Sequence, residues 1–350
     1  MNPRIQQLIS QLGKHRLDAF LITSDVNIRY LTDFPSSESW LFICPKRAFY
    51  ITDPRYALEA RQSLKAIGVK VYRRSLGESL WELASVMGAQ RIGFDDRHLF
   101  LSAFKLLKKA TPKARKLVCS PGLVEAFREI KSHFEIDQIK KALGLHKQAY
   151  QFLQKTIRPG ITEKDCLKEL EGFVRSQDGA FSFPAIIASG PNSCFPHAQV
   201  TDRMIKRNEP VLVDMGIDLD GYKSDLTRMI FLGTIPRFIR EVHDTVRRAQ
   251  ALAIQKVRPG VLACDLDAAA RNYLTQNHLG KFFGHSLGHG VGLEIHEAPR
   301  ISQRNPSPLK EGMVFTIEPA VYIPHQFGIR IEDMVLVTQK GCEVLSGPIH

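Results

Sequence analysis

A chain of 350 residues divides, at roughly 150 residues per domain, into two domains, each large enough for its own core. Apolar residues at 44% and charged residues at 24% exclude a disordered, collagen-like or coiled-coil protein. The net charge of +12 bears on solubility and on attraction to anions and leaves the fold open.

Met1 to Ser10 hold Arg4 but no apolar core of signal-peptide length, and nowhere do about 18 apolar residues run together, so neither secretion nor a membrane partner is expected. Helical periods over Ile5 to His15, Arg55 to Ala66, Ser79 to Met87 and Leu99 to Lys109 alternate with strand-length apolar runs. The runs are Ala19 to Ile22, Leu41 to Ile43, Phe49 to Thr52, Val69 to Tyr72 and Arg91 to Phe94, which together predict an α/β domain. The basic stretch from Lys105 to Lys116 has Phe104 as its only aromatic neighbour, so it offers no stacking platform, reads as a solvated face, and no nucleic-acid partner is expected. A helical stretch from Glu125 to Lys155 leads into a second domain, giving domains 1–130 and 131–350. The six cysteines are scattered, Cys166 and Cys194 being the nearest pair, which predicts reduced thiols and a cytoplasmic protein.

The second domain repeats itself. Arg158-Pro159-Gly160 recurs as Arg258-Pro259-Gly260 and Asp165 as Asp265, with Ile157, Ile161, Phe173 and Val174 matched in register by Val257, Val261, Tyr273 and Leu274. Each copy predicts helix, turn, helix, followed by a strand that ends in a carboxylate: Val211 to Asp214 in the first, Val314 to Glu318 in the second. Another strand-borne acid follows each, Asp225 and then Glu332. Such a duplicated unit brings four acids together at a pseudo-twofold axis, where only a cation makes their repulsion and desolvation bearable.

Three histidines lie in Phe283 to Glu297, among glycines 284, 288, 290 and 292 that argue against a regular helix and for backbone held close to a bound group. No His-Glu-x-x-His signature or zinc-finger spacing is present. One histidine with four carboxylates is a hard donor set suited to manganese, cobalt or iron, with zinc an alternative, and its charge best fits two adjacent ions.

The segments Asp214-Met215-Gly216, Gly221 to Arg228, His285 to Gly292, Ile295-His296-Glu297, Ile317-Glu318-Pro319 and Gly328 to Asp333 resemble the pita-bread metallopeptidases, above all the proline-specific branch of prolidase and aminopeptidase P. The likeness spans about residues 130 to 350, and Thr52 to Tyr56 resembles part of that branch's amino-terminal domain. It implies an α/β domain followed by an α+β pita-bread domain. It also implies two divalent ions, Mn or Co before Zn or Fe, held by Asp214, Asp225, His289, Glu318 and Glu332, with Asp225 bridging less firmly placed. His197, His285 and His296 then face the substrate, with Arg330 beside it; His197, His296 and Glu318 are the catalytic groups, and Glu318 carries the proton. Substrates are short peptides with proline second, on a homodimer. An Xaa-Pro bond has no N–H to grip and its ring needs an apolar pocket, for which Phe183, Phe195 and Tyr322 are candidate walls.

Competing readings are a strict Xaa-Pro dipeptidase, a methionine aminopeptidase-like enzyme, a metal-free creatinase type and a non-catalytic basic binding protein. The filled ligand set speaks against the metal-free type, and the first 130 residues against the methionine-specific one.

Overall fold

Asn2 opens the first helix, α1 (Pro3–Leu12). Its side chain accepts a bond from the Arg4 amide, Pro3 presets the first turn, and Ile5, Leu8 and Leu12 form one buried face. The computed structural model describes residues 2–347; Met1 and residues 348–350, the outer ends of the two expected domains, lie outside the described residues. The chain separates into two units between Arg128 and Glu129.

In the first unit β1 (Ala19–Ile22), α2 (Asp25–Thr32), β2 (Trp40–Cys44), β3 (Arg47–Thr52), α3 (Pro54–Ser63), β4 (Gly68–Val71), α4 (Leu76–Met87), β5 (Arg91–Phe94), α5 (Leu101–Lys109), β6 (Lys116–Cys119) and α6 (Glu125–Arg128) follow one another. The six strands form one mixed sheet in the order β4-β3-β2-β1-β5-β6, antiparallel through the β1–β2–β3 meander and parallel elsewhere. β1 and β5 have the bounds expected from their apolar runs. Two elements escape periodicity. α2 is short, capped by Ser24 and stopped by Asp33 in a left-handed conformation, and β6 is a four-residue edge strand begun by the last lysine of the basic stretch.

The helix expected over Glu125 to Lys155 is two helices. α7 (His133–Thr156) starts afresh at Ser132, whose hydroxyl accepts the Glu135 amide while the Glu135 carboxylate returns to the Ser132 amide. A reciprocal cap of this kind ends the chain's approach as a turn and makes the break at residues 129–132.

The second unit continues with α8 (Glu163–Ser176), β7 (Ala180–Phe181), β8 (Ile186–Ser189), β9 (Pro210–Met215), β10 (Ile217–Leu219), β11 (Tyr222–Lys223) and β12 (Leu226–Phe231). Its second copy holds α9 (Arg237–Ile254), α10 (Ala263–Gln276), β13 (Gly288–Gly290), β14 (Glu297–Ile301), β15 (Val314–Ile317), β16 (Ala320–Ile323), β17 (Phe327–Arg330), β18 (Asp333–Val337) and β19 (Cys342–Val344). The duplication is visible in hydrogen bonds. Gly160, at φ +93°, donates to the Ile205 carbonyl at 2.9 Å, and Gly260, at φ +86°, donates to Leu309 at 2.9 Å. Ile205 and Leu309 in turn donate back to Ile161 and Val261. Both turns need a residue free to adopt positive φ, which explains glycine at each.

Each copy builds its own core. Leu145, Leu153, Leu170, Ile187 and Val213 pack in the first, and Val246, Leu266, Leu274, Phe315 and Val335 in the second. The sheets β12-β9-β8 and β14-β13-β15-β18-β19 carry the acids.

Candidate metal centre

β9 is buried along its whole length between β8 and β12, and the pairing sets Asp214 opposite Ile186 on one side and Thr227 on the other. Asp225 precedes β12, Glu318 follows β15, and Glu332 lies between β17 and β18. The two copies meet where the Glu332 amide donates to the Thr227 carbonyl at 3.2 Å and the Thr227 hydroxyl donates to Glu332 Oε2 at 2.7 Å. The Glu318 amide donates to the Leu287 carbonyl at 2.8 Å, tying β15 to the histidine-bearing segment.

The structure therefore brings Asp225, His289 and Glu332 together, sets Glu318 beside His289, and ties Asp214 to them through Arg330 and Thr227. Ligand atoms of Asp225, His289 and Glu332 lie within 4.8 Å of one another. His289 Nε2 is 3.2 Å from Glu318 Oε1 and 3.6 Å from Asp225 Oδ2. Its Nδ1 faces the Gly290 carbonyl at 3.2 Å, which fixes the N–H on Nδ1 and leaves the Nε2 lone pair turned to the acids when the ring is neutral. Asp214 is reached through Arg330, whose Nη2 pairs with Asp214 Oδ2.

Electrostatics singles out the same atoms. Burial, then Glu332, Asp214 and Glu318, push the Asp225 carboxyl well above its ordinary range. Burial, then Glu318 and Asp214, do the same to Glu332. Burial also raises Glu318, but His289, His285 and Arg330 outweigh it and bring that carboxyl down to about 2. Asp214 Oδ1 and Glu332 Oε1 are buried without a hydrogen-bond partner. Four acids facing Arg330 and His289, with two carboxylate oxygens orphaned, form a donor set that fits divalent cations.

Two glycines of this segment, Gly288 and Gly290, lie against backbone of neighbouring strands. A Cβ on Gly288 would lie 1.9 Å from the Thr316 carbonyl oxygen and one on Gly290 would lie 2.1 Å from that of Ala298. They let β13 press against neighbouring backbone, an approach that a Cβ would block.

The remaining expected residues fall around the cluster. The His296 ring stands edge-on to His289 with centroids 4.3 Å apart, and burial followed by His289 keeps it less basic than usual. His285 turns Nδ1 to the Ser286 carbonyl at 2.8 Å, leaving Nε2 to accept from the Tyr322 hydroxyl at 3.4 Å. His197 is exposed in the loop between β8 and β9. Arg330, expected beside the substrate, is buried, and its donors go to Asp214, Tyr322, the Pro196 carbonyl and Thr227. It reaches Glu332 only through the Thr227 hydroxyl, which accepts from Arg330 Nε at 3.0 Å. Of the candidate walls, Tyr322 is buried beside His285, Phe183 lies against Gly216, and Phe195 is 57% exposed. Thr227 was the residue missed; it is fully buried next to buried Leu226, and no alternation in β12 marks it out.

A second group of possible ligands, Asp95, His98 and Glu125, lies in the first unit. Arg97 spans both carboxylates, at 2.6 Å from Asp95 and 3.0 Å from Glu125, so a charge of the chain's own already occupies the place a cation would take.

Known proteins bear on this geometry. Residues 137–339 match the family model of Metallopeptidase family M24, and residues 4–130 that of the Creatinase/Prolidase N-terminal domain. An Xaa-Pro dipeptidase of Pyrococcus horikoshii is 33% identical over 99% of this chain and 97% of its own. The solved structure of an Xaa-Pro dipeptidase from Bacillus anthracis superposes with a TM-score of 0.94 at 34% identity, covering 99% of this chain and 97% of that one. That of an X-Pro aminopeptidase from Thermotoga maritima does so with 0.90 at 34% identity, covering 99% and 98%.

Proposed function

The chain belongs to metallopeptidase family M24, and from that premise we propose that it hydrolyses the bond between an amino-terminal residue and a following proline, in dipeptides and short peptides. The observation that supports the reading is that Asp225, His289 and Glu332, drawn from two copies of a repeat, bring ligand atoms within 4.8 Å of one another, with Glu318 beside His289 and carboxylate oxygens of Asp214 and Glu332 orphaned. Asp214, Asp225, His289, Glu318 and Glu332 would hold two divalent ions, with manganese or cobalt suited to this hard donor set. Such ions supply Lewis-acid polarisation of the scissile carbonyl and a more acidic water.

The chain's own residues do the rest. Thr316 Oγ1 donates to Glu318 Oε1 at 3.0 Å, so Oε2 is the oxygen that takes a proton from the attacking water and returns it to the proline nitrogen. His296, kept neutral near pH 7 by burial and by His289, offers one N–H to the developing oxyanion, and His197, next to the Pro196 carbonyl that Arg330 holds, acts on the same substrate. Arg330 holds Asp214 in place. A strict dipeptidase needs a cation free to meet the proline carboxylate, and the engagement of Arg330 with Asp214 favours the broader specificity.

The enzyme is further proposed to act as a homodimer in the reducing cytoplasm. All six cysteines are free, and no helix among the described residues is long and apolar enough to cross a membrane. The test is a panel of Xaa-Pro, Xaa-Pro-Yaa and Xaa-Ala peptides offered to manganese-loaded protein. Cleavage confined to Xaa-Pro bonds, in dipeptide and tripeptide alike, is expected. Hydrolysis of Xaa-Ala at an equal rate would overturn the proline specificity, and loss of all tripeptide cleavage would leave a strict dipeptidase. Sedimentation should find a dimer at micromolar concentration, and a fully active monomer would contradict it.

A further inference from the structure

Glu163, the first residue of α8, has no exposed surface, and its carboxylate accepts five hydrogen bonds from a single loop. Oε1 receives the amide and the hydroxyl of Ser189, each at 2.7 Å. Oε2 receives Asn192 Nδ2 at 2.8 Å, the Thr201 amide at 3.0 Å and the Thr201 hydroxyl at 2.7 Å. These donors come from both ends of residues 189–201, so one side chain draws the two ends together and closes the segment into a compact loop.

The other side of the loop rests on β17. The Gly328 amide donates to Ser193 Oγ at 2.8 Å, and Arg330 Nη1 to the Pro196 carbonyl at 3.1 Å. A Cβ on Gly328 would come 2.0 Å from the Ser193 carbonyl oxygen, which shows how closely the two backbones approach. Phe195, Pro196 and His197 lie between these two anchorages. Arg330, which holds the Pro196 carbonyl next to His197, also pairs with Asp214, so the loop carries His197 to the edge of the acid cluster.

Forming the helix does not call for this glutamate. Thr162 caps α8 by accepting the Asp165 amide, and in the second copy the equivalent first residue of α10 is Ala263. The carboxylate is therefore an addition of the first copy, directed wholly at the loop.

We infer that Glu163 is a positioning residue for His197: by closing the 189–201 loop from inside the fold, it sets where that imidazole meets the substrate. The inference rests on the proposed reading that His197 acts on the bound peptide. In Glu163→Gln an amide group replaces one acceptor oxygen, and at least two loop donors lose their partner whichever way the amide turns.

The experiment is a double-mutant cycle on the manganese-loaded full chain, with turnover of an Xaa-Pro dipeptide expressed per bound metal. Glu163→Gln should lower kcat about 10²-fold, the scale of an ångström-sized misplacement, with metal content and KM held. In the His197→Ala background the same change should cost less than about twofold. Equal losses in both backgrounds would overturn the inference, because the loop would then be acting through something other than His197. Unchanged kcat in Glu163→Gln would overturn it as well. His197→Ala with full turnover would bring down the functional reading and this inference with it, whereas a slow His197→Ala with additive losses brings down this inference alone. If Glu163→Gln does not fold, Thr201→Val combined with Asn192→Ala removes two of the loop's own donors and is carried through the same cycle with the same expectations.

Discussion

In the first copy of the repeat the pin for the site loop is an acceptor, Glu163, and the loop presents amides and hydroxyls to it. In the second copy the pin is an ion pair one turn further along the helix. Asp267 is fully buried, binds Arg271 at 2.7 Å and accepts the Leu287 amide at 3.1 Å, while Arg271 donates to the Phe283 and His285 carbonyls at 2.9 and 2.7 Å. Loops that carry His197 and His285 are thus held from equivalent helices, the first by an acceptor alone and the second by an acceptor and a donor together. The backbone frame was duplicated, and each loop was then anchored by whichever partner its own exposed backbone groups required. The copies differ in the same way at the metal centre: the first supplies two aspartates and Thr227, the second a histidine, two glutamates and the glycines that let β13 approach its neighbours.

The largest effect should come from removing one ligand on each side. Asp225→Ala in the first copy and Glu332→Ala in the second should each lower hydrolysis more than about 10³-fold, with metal loss seen by elemental analysis. Chelation should match them, and manganese or cobalt should restore only the wild type. Substantial activity in either variant would mean that one copy suffices.

His296→Ala should keep its metal and lose about 10² to 10⁴ in kcat, the range of a positioned proton-transfer or hydrogen-bonding group. A variant that lost its metal would move His296 among the ligands and place four of them in the second copy.

Breaking the second copy's pin is a test of stability. Arg271→Met leaves Asp267 buried with its ion partner gone and should cost about 3 kcal/mol by urea unfolding. A cost below about 0.5 kcal/mol, the level of ordinary surface changes, would show that the pair anchors nothing.

The smallest effect concerns pH. Burial and mutual repulsion raise the carboxyls of Asp225 and Glu332 well above their ordinary range. A carboxyl raised in the folded state holds its proton more tightly there than in the unfolded chain. Its contribution to the metal-free protein is complete below the ordinary carboxylate range and is lost as pH rises through the raised values. Glu318, held down to about 2, changes in the opposite sense and only in strong acid. Because a bound cation removes the repulsion, the rise in Tm on adding manganese should be larger at mildly alkaline than at mildly acidic pH. An equal rise at both would remove this pair from the metal site.

Much of the chain was legible without coordinates. One acid at a strand end is ordinary, but Asp214, Asp225, Glu318 and Glu332 taken as a set in a duplicated unit point to a cation, and two Arg-Pro-Gly turns in register disclose the duplication. The α/β alternation of the first unit followed from periodicity, because burial on one face writes itself into spacing. The tertiary structure alone decided which groups meet across the copies. Nothing local to Thr227 says that its hydroxyl bonds Glu332, nothing near Arg330 that it is engaged with Asp214 116 residues away, and Glu163 looks like an ordinary first-turn acid until the loop folds over it. The glycines follow the same rule: sequence records that a side chain is not tolerated, but the atom that excludes it, the Thr316 carbonyl oxygen at Gly288, belongs to a strand that only folding brings near. Periodicity and composition report what each segment buries, whereas hydrogen-bond partners and close contacts are properties of pairs, and those pairs exist only once the chain has closed on itself.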